Sequence, residues 1–186
     1  ANHPSGIDLA GKPKYFRVVR LTNEQWARSV QDLLKLTAPS ELEKDFQNPV
    51  SGTTDFSNNE HLLDVNQRAW EDYRDAAEKL AEQVTASTGA LSALYAGTDA
   101  NGFITSMGRR VYRRPLTQSE LSAYGELFSK GSAMSGSKSA FPKGAALVLR
   151  TMLQSPHFLY RTEPAATGAA LSGHEVAAKL SLWLRG

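Results

Sequence analysis

The chain contains no cysteine. Disulfide staples, thiolate nucleophiles, zinc–thiolate centres and CxxCH haem attachment are therefore excluded within it. Long apolar runs are also missing. No stretch approaches the roughly 20 apolar residues of a membrane-spanning helix, so no membrane span is expected. Excess charge of one sign is lacking too. Lys and Arg number 21 against 19 Asp and Glu, a formal net charge of +2. So even a balance does not call for a polyanionic partner, and no nucleic acid is expected. Hydrophobic residues make up 41% of the 186 positions, which is enough for a real core. The first residue is Ala1 rather than Met, as in a processed protein or a fragment, so the lack of a leader carries no information.

What is present is strong helix punctuation. Residues 141–161 read FPKGAALVLRTMLQSPHFLYR, and from Ala145 to Leu153 only Arg150 and Thr151 are polar. A helix apolar on nearly every face belongs inside a protein. Pro156 cannot continue it and pushes Ser155 out of helical geometry. This predicts a central buried helix at about 143–154, then a tethered corner through Phe158, Leu159 and Tyr160. Three capping boxes with hydrophobic staples stand elsewhere: Thr22 with Gln25, Thr117 with Glu120, and Ser172 with Glu175. They predict helices at 23–36, 117–129 and 173–185. The last carries an apolar stripe of Val176, Leu180, Trp183 and Leu184. Apolar stripes at helical spacing predict two more helices, at 66–84 and 99–113.

The expected fold class is all-α, an irregular bundle of six or seven helices around the central one. Residues 1–14 are expected as an extended arm. Residues 15–186 are expected as a helical domain, the N-terminal part of a larger protein or assembly. The only strand expected is a short one at 15–19. Residues 38–64 read as a long loop pinned by Phe46, Val50 and Phe56, residues 85–98 as turn-rich, and Thr162–Ala170 as a linker. Ser129–Ser139, rich in Ser, Gly and Lys, reads as the most mobile internal segment.

The sharpest charge cluster is Arg109, Arg110, Arg113 and Arg114. Pairs four apart on a helix repel unless something answers them. Their place before Pro115 suits the negative end of a helix dipole, and carboxylates such as Glu120, Glu126 or Glu163 are available to fork onto them. Internal ion pairing is the favoured reading. An anion, polysaccharide or partner site is the alternative. His157 and Arg161 join the candidates from the corner after the central helix. Ser155-Pro156-His157 lacks the G-x-S-x-G elbow of a hydrolase, and His157 is expected to serve a helix end or a carbonyl. The other histidines, His3, His61 and His174, show no metal spacing. Asp55, Asn58, Asn59 and Asp64 lack the calcium-loop spacing and its glycine. No metal site and no cofactor are expected within the chain. Tyr15, Phe16, Trp26, Trp70, Tyr73, Tyr160 and Trp183 would form a sugar platform if exposed, but Trp26, Tyr73 and Trp183 lie on apolar stripes and are expected in the core.

Four phrases occur in order: RLTNEQWARSVQDLL, GRRVYRRPLTQSEL, LQSPHFLYRTE and LSGHEVAAKLSLWLRG. Together they resemble a family of large exported bacterial proteins of unknown function. In that family several such domains follow one another, sometimes joined to planctomycete-type cytochrome c domains or carbohydrate-binding modules. The resemblance covers most of residues 17–186. It implies a helical fold, an exported location (periplasmic, outer surface or secreted), and a redox or polysaccharide setting with haem in a partner domain. It supplies no catalytic residue. Family members often carry cysteines around the segment here reading Ala90–Ala100, and their chains continue beyond the LSLWLRG helix. The expected function is a non-catalytic scaffold or binding portion of an exported multidomain protein. Its partners would be a C-terminal continuation, a second chain or a polysaccharide. The alternative is one chain of a proteolytically processed enzyme whose catalytic groups lie in the missing C-terminal part.

Overall fold

The computed structural model describes residues 17–47, 65–134, 140–163 and 172–185. These residues form an all-α fold of eight helices with one two-stranded ribbon. The helices start where caps permit. Helix α1 (Asn23–Leu34) opens on Thr22, whose hydroxyl accepts from the Gln25 N–H at 3.1 Å while Gln25 accepts from the Thr22 N–H. Each bond satisfies an N–H that the helix itself cannot. Asn66 opens α2 (Gln67–Ala86) and Asp99 opens α4 (Ala100–Tyr112) as single caps, each side-chain oxygen accepting from the N–H three residues on. The Thr117–Glu120 box opens α5 (Gln118–Ala133). Between α2 and α4 lies a short helix, α3 (Thr88–Leu94), capped by Ser87. It buries Leu91 and Leu94, where the composition reads as turns.

Helix α6 (Ala140–Leu153) is the hub, packing on α5, α2 and α4 and on the single turn α7 (Pro156–Leu159). Ala145, Val148, Leu149 and Met152 have no solvent exposure. The helix is not covered on every side, however. Lys143 and Thr151 are exposed and Leu147 and Arg150 half-buried, because no described element packs on that edge. Arg150 instead reaches Glu78 of α2 at 2.7 Å. Strand β1 (Arg17–Arg20) pairs antiparallel with β2 (Tyr160–Glu163), Arg20 opposite Tyr160. The expected strand thus has a partner within the corner after the hub. The Leu21 N–H donates to the Leu159 carbonyl at 2.8 Å and extends the join. Arg20 is buried and donates to the Tyr73 hydroxyl at 2.7 Å.

The long loop contains a 3-10 turn, Leu42–Asp45, and then Phe46, buried against Trp26 and Tyr73 with ring centroids 4.7 and 5.1 Å away. That is the pinning expected of Phe46. The arm at 1–14, Val50, Phe56 and the Asp55–Asp64 group lie outside the described residues. The loop reading of Ser129–Ser139 is corrected over its first half, because α5 continues to Ala133 and buries Gly131 against α6, while 135–139 lie outside the described residues. Helix α8 (Gly173–Arg185) follows its own box, with the Ser172 N–H donating to Glu175 at 2.7 Å. It meets the body only at α1 and β2 among its larger contacts.

The cap chemistry is directly testable. Thr117→Ala leaves the Glu120 N–H unanswered and is expected to lower stability by about 1 kcal/mol. Urea denaturation reads it. An unchanged midpoint would mean that the cap contributes nothing.

Candidate functional site

The four arginines do not share a face, and the cause is local. Helix α4 ends at Tyr112, and Arg113 takes a left-handed turn with φ 57°. Arg110, still on the helix, reaches across to α1 and donates to the carbonyls of Asp32 and Leu33 in its last turn. The helix leaves carbonyls short of donors there, and the Asp32 carbonyl also takes the long Lys35 N–H bond at 3.4 Å. Arg114, beyond the turn, forks onto Glu120 at 2.9 and 2.7 Å and also donates to the Pro115 carbonyl. Two of the four are thereby tied to this chain. Arg109 is exposed. Arg113 differs from all three. It is half-buried, its guanidinium lies 5.7 Å from the Phe158 ring centroid, and among the described residues no carboxylate or carbonyl meets it. Burial alone pushes its pKa down, with no acid to offset it.

Glu120 gathers the next layer. It accepts from Arg114 and from the Thr117 N–H, and its nearer oxygen lies 3.7 Å from His157 Nε2. The Arg114 hydrogen bond, aided by Thr117, holds its carboxyl down at about 2. A depressed carboxyl stabilises the fold above its unfolded value and loses that effect as pH falls towards the folded one. The contribution is therefore lost between about pH 4.5 and 2. Solvent screening at this rim position holds it to about 1 kcal/mol. Acid titration of stability should show that slope in the native chain and not in Glu120→Gln. An identical slope in both would remove the assignment.

Ser155 and His157 do not form a nucleophile and base. Ser155 is the cap of α7: its hydroxyl oxygen accepts from the His157 backbone N–H at 3.2 Å and from the Tyr112 hydroxyl at 3.0 Å. The His157 imidazole turns the other way, half-exposed over the Tyr112 ring at 4.6 Å and towards Glu120. The buried Tyr112–Tyr124 hydroxyl pair completes the chain, and burial raises the Tyr124 pKa.

Helix α8 roofs these residues and leaves a groove beneath it. Two cavities, of about 390 and 520 Å³, share Arg113, His174 and Ala178 as lining. Arg28 and Arg110 line the first cavity, and Arg114, Arg161 and Lys179 the second. Only Asp32 and Glu175 oppose them among the lining carboxylates, so the groove is cationic. Of the six sequence candidates, Arg110, Arg113, Arg114, His157 and Arg161 border this groove and Arg109 does not. Sequence reasoning missed Arg28, His174 and Lys179. All three lie within the quoted phrases, but no charge cluster or spacing marks them there, and only the placement of α8 over α1 and β2 brings them together. Trp26 and Tyr73 are core, as their stripes indicate. Trp70 is half-exposed but carries the Arg74 guanidinium 5.2 Å from its ring centroid. Tyr160 lines the second cavity. Tyr15, Phe16 and the Trp183 side chain lie outside the described residues. Among the described residues, no three His, Asp or Glu side chains gather as a metal site would require, and no helix is long and apolar enough to cross a membrane.

Two family models match this architecture. Residues 20–86, from the end of β1 through α2, match PSD3, a protein of unknown function (DUF1587). Residues 99–163, from the α4 cap through β2, match PSD5, a protein of unknown function (DUF1595). The RLTNEQW phrase falls in the first match and the RRPLT and LQSPHFLYR phrases in the second, which fits the resemblance drawn from them. The α8 phrase lies in neither. No curated protein and no solved structure matches the chain.

Proposed function

We propose that this chain is a non-catalytic scaffold or binding portion of an exported or cell-surface multidomain protein, serving a redox- or polysaccharide-related assembly with any haem held in a partner domain. The observation that carries this reading is the outer face of α8. Val176 and Leu180 stand one turn apart and are 41% and 51% exposed. A helix with its own capping box that turns apolar side chains to solvent is built to be covered by something else. The occupant we assign is a neighbouring domain of the same exported protein. The two matches to families of unknown function are compatible with a domain of this kind.

The test places a photo-crosslinking amino acid at position 176 of the full-length natural protein. Crosslinks to segments outside these 186 residues are expected. Crosslinks confined to residues 1–186 would overturn the proposal.

A further inference from the structure

Arg113 is the half-buried member of its cluster whose charge nothing in the described chain answers, whereas Arg109 stands in solvent. Arg110 is held by the end of α1 and Arg114 by Glu120. A half-buried guanidinium without a carboxylate is a costly arrangement, because burial penalises the charge and only the Phe158 ring face offsets part of the loss. One structural explanation is that Arg113 neutralises the negative end of α4. Its left-handed turn argues against that, since the guanidinium bonds none of the α4 carbonyls and is carried instead to the Phe158 ring. The ring supports the planar fork from one side and limits its freedom, while its N–H edge remains available. Arg113 also occupies a singular place: it is the arginine common to both cavities beneath α8. His174, in the first turn of α8, is the titratable side chain that shares this place. The start of that helix adds partial positive charge over the same space.

We infer that the groove beneath α8 binds a small organic carboxylate, gripped by the forked guanidinium of Arg113 with His174 as a second donor. A planar carboxylate matches the fork two-for-two, and its single charge suits a groove that also carries Asp32 and Glu175 better than the double charge of sulfate would. Cavities of about 390 and 520 Å³ suit a ligand the size of one acidic sugar or a dicarboxylic acid. Two sources share this chemistry, a uronic acid and a free aliphatic dicarboxylate. The inference does not depend on whether the outer face of α8 finds a partner.

Isothermal titration of the full natural protein with glucuronate, succinate and sulfate tests it, comparing native, Arg113→Met and Arg109→Met forms. Glucuronate or succinate should bind, weaken about tenfold or more in Arg113→Met, and stay unchanged in Arg109→Met. Preference for glucuronate assigns the sugar source, and preference for succinate the free acid. Equal binding of sulfate, binding indifferent to Arg113→Met, or no binding at millimolar concentration would each overturn the inference. Should Arg113→Met fail to fold, phenylglyoxal modification of the native protein decides the matter. The ligand must protect Arg113 and leave Arg109 reactive, and modification of both at unchanged rates would sink the idea.

Discussion

Leu149→Ala is expected to lower the unfolding free energy by about 2–5 kcal/mol, the range for a large-to-small change in a packed core. Leu149 has no solvent exposure, and its neighbours Ala145, Val148, Met152 and Leu153 are buried with it. They sit where α6 meets α2, α4 and α5 at once. Removing three carbons there forfeits their transfer free energy and opens a cavity that three helices cannot close together. A chain of this size loses roughly 2–4 °C of melting temperature per kcal/mol, so a thermal scan resolves the change easily. Thr151→Ala is the control on the exposed edge of the same helix and should stay within about 0.5 kcal/mol. Comparable losses for the two substitutions would mean that α6 has no buried side to distinguish.

The parts of this fold that were legible in the sequence are those that local chemistry decides. Caps at Thr22 and Thr117 are short-range hydrogen bonds between residues three apart, and both form. The six long helices followed from them and from the apolar stripes. The two short helices were harder. Helix α3 has seven residues, too few to show a period, and it exists because Leu91 and Leu94 find a core to enter. Strand β2 has only β1 as a partner among the described residues, 140 positions earlier in the chain, so no local pattern announces it. The candidate site divides along the same line. Four arginines in six residues are visible to any reader. That Arg113 turns left-handed, parts company with Arg110 and Arg114, and enters a groove under α8 depends on a backbone state uncommon for a non-glycine residue. The groove depends equally on the placement of α8, which starts 60 residues further on.

Gly131→Val is expected to lower stability by about 3 kcal/mol, near the top of the range for overpacking. By composition Gly131 belongs to a Ser/Gly/Lys loop. In the fold it is the point where α5 and α6 touch backbone to backbone. A Cβ at Gly131 would lie 2.8 Å from the Lys143 carbonyl oxygen and 3.0 Å from the Gly144 Cα. A Cβ at Gly144 would in turn lie 2.6 Å from the Ser132 hydroxyl and 2.7 Å from the Phe128 ring. The Ser132 hydroxyl also donates to the Ala140 carbonyl at 2.9 Å, so the crossing is bonded as well as close. Main-chain atoms cannot swing aside as a flexible side chain would, and the helices must separate. Gly125 supplies the internal comparison. It lies six residues earlier on α5 with nothing within 4 Å of an added Cβ. Gly125→Ala should therefore stabilise by about 0.5–1 kcal/mol through the unfolded chain and helix propensity. Gly131→Ala gains the same helix preference but meets the α6 backbone, and it should destabilise. Opposite signs for one substitution at two sites on one helix cannot come from propensity. If urea denaturation gave both alanine variants the same gain, α5 and α6 would not cross at Gly131.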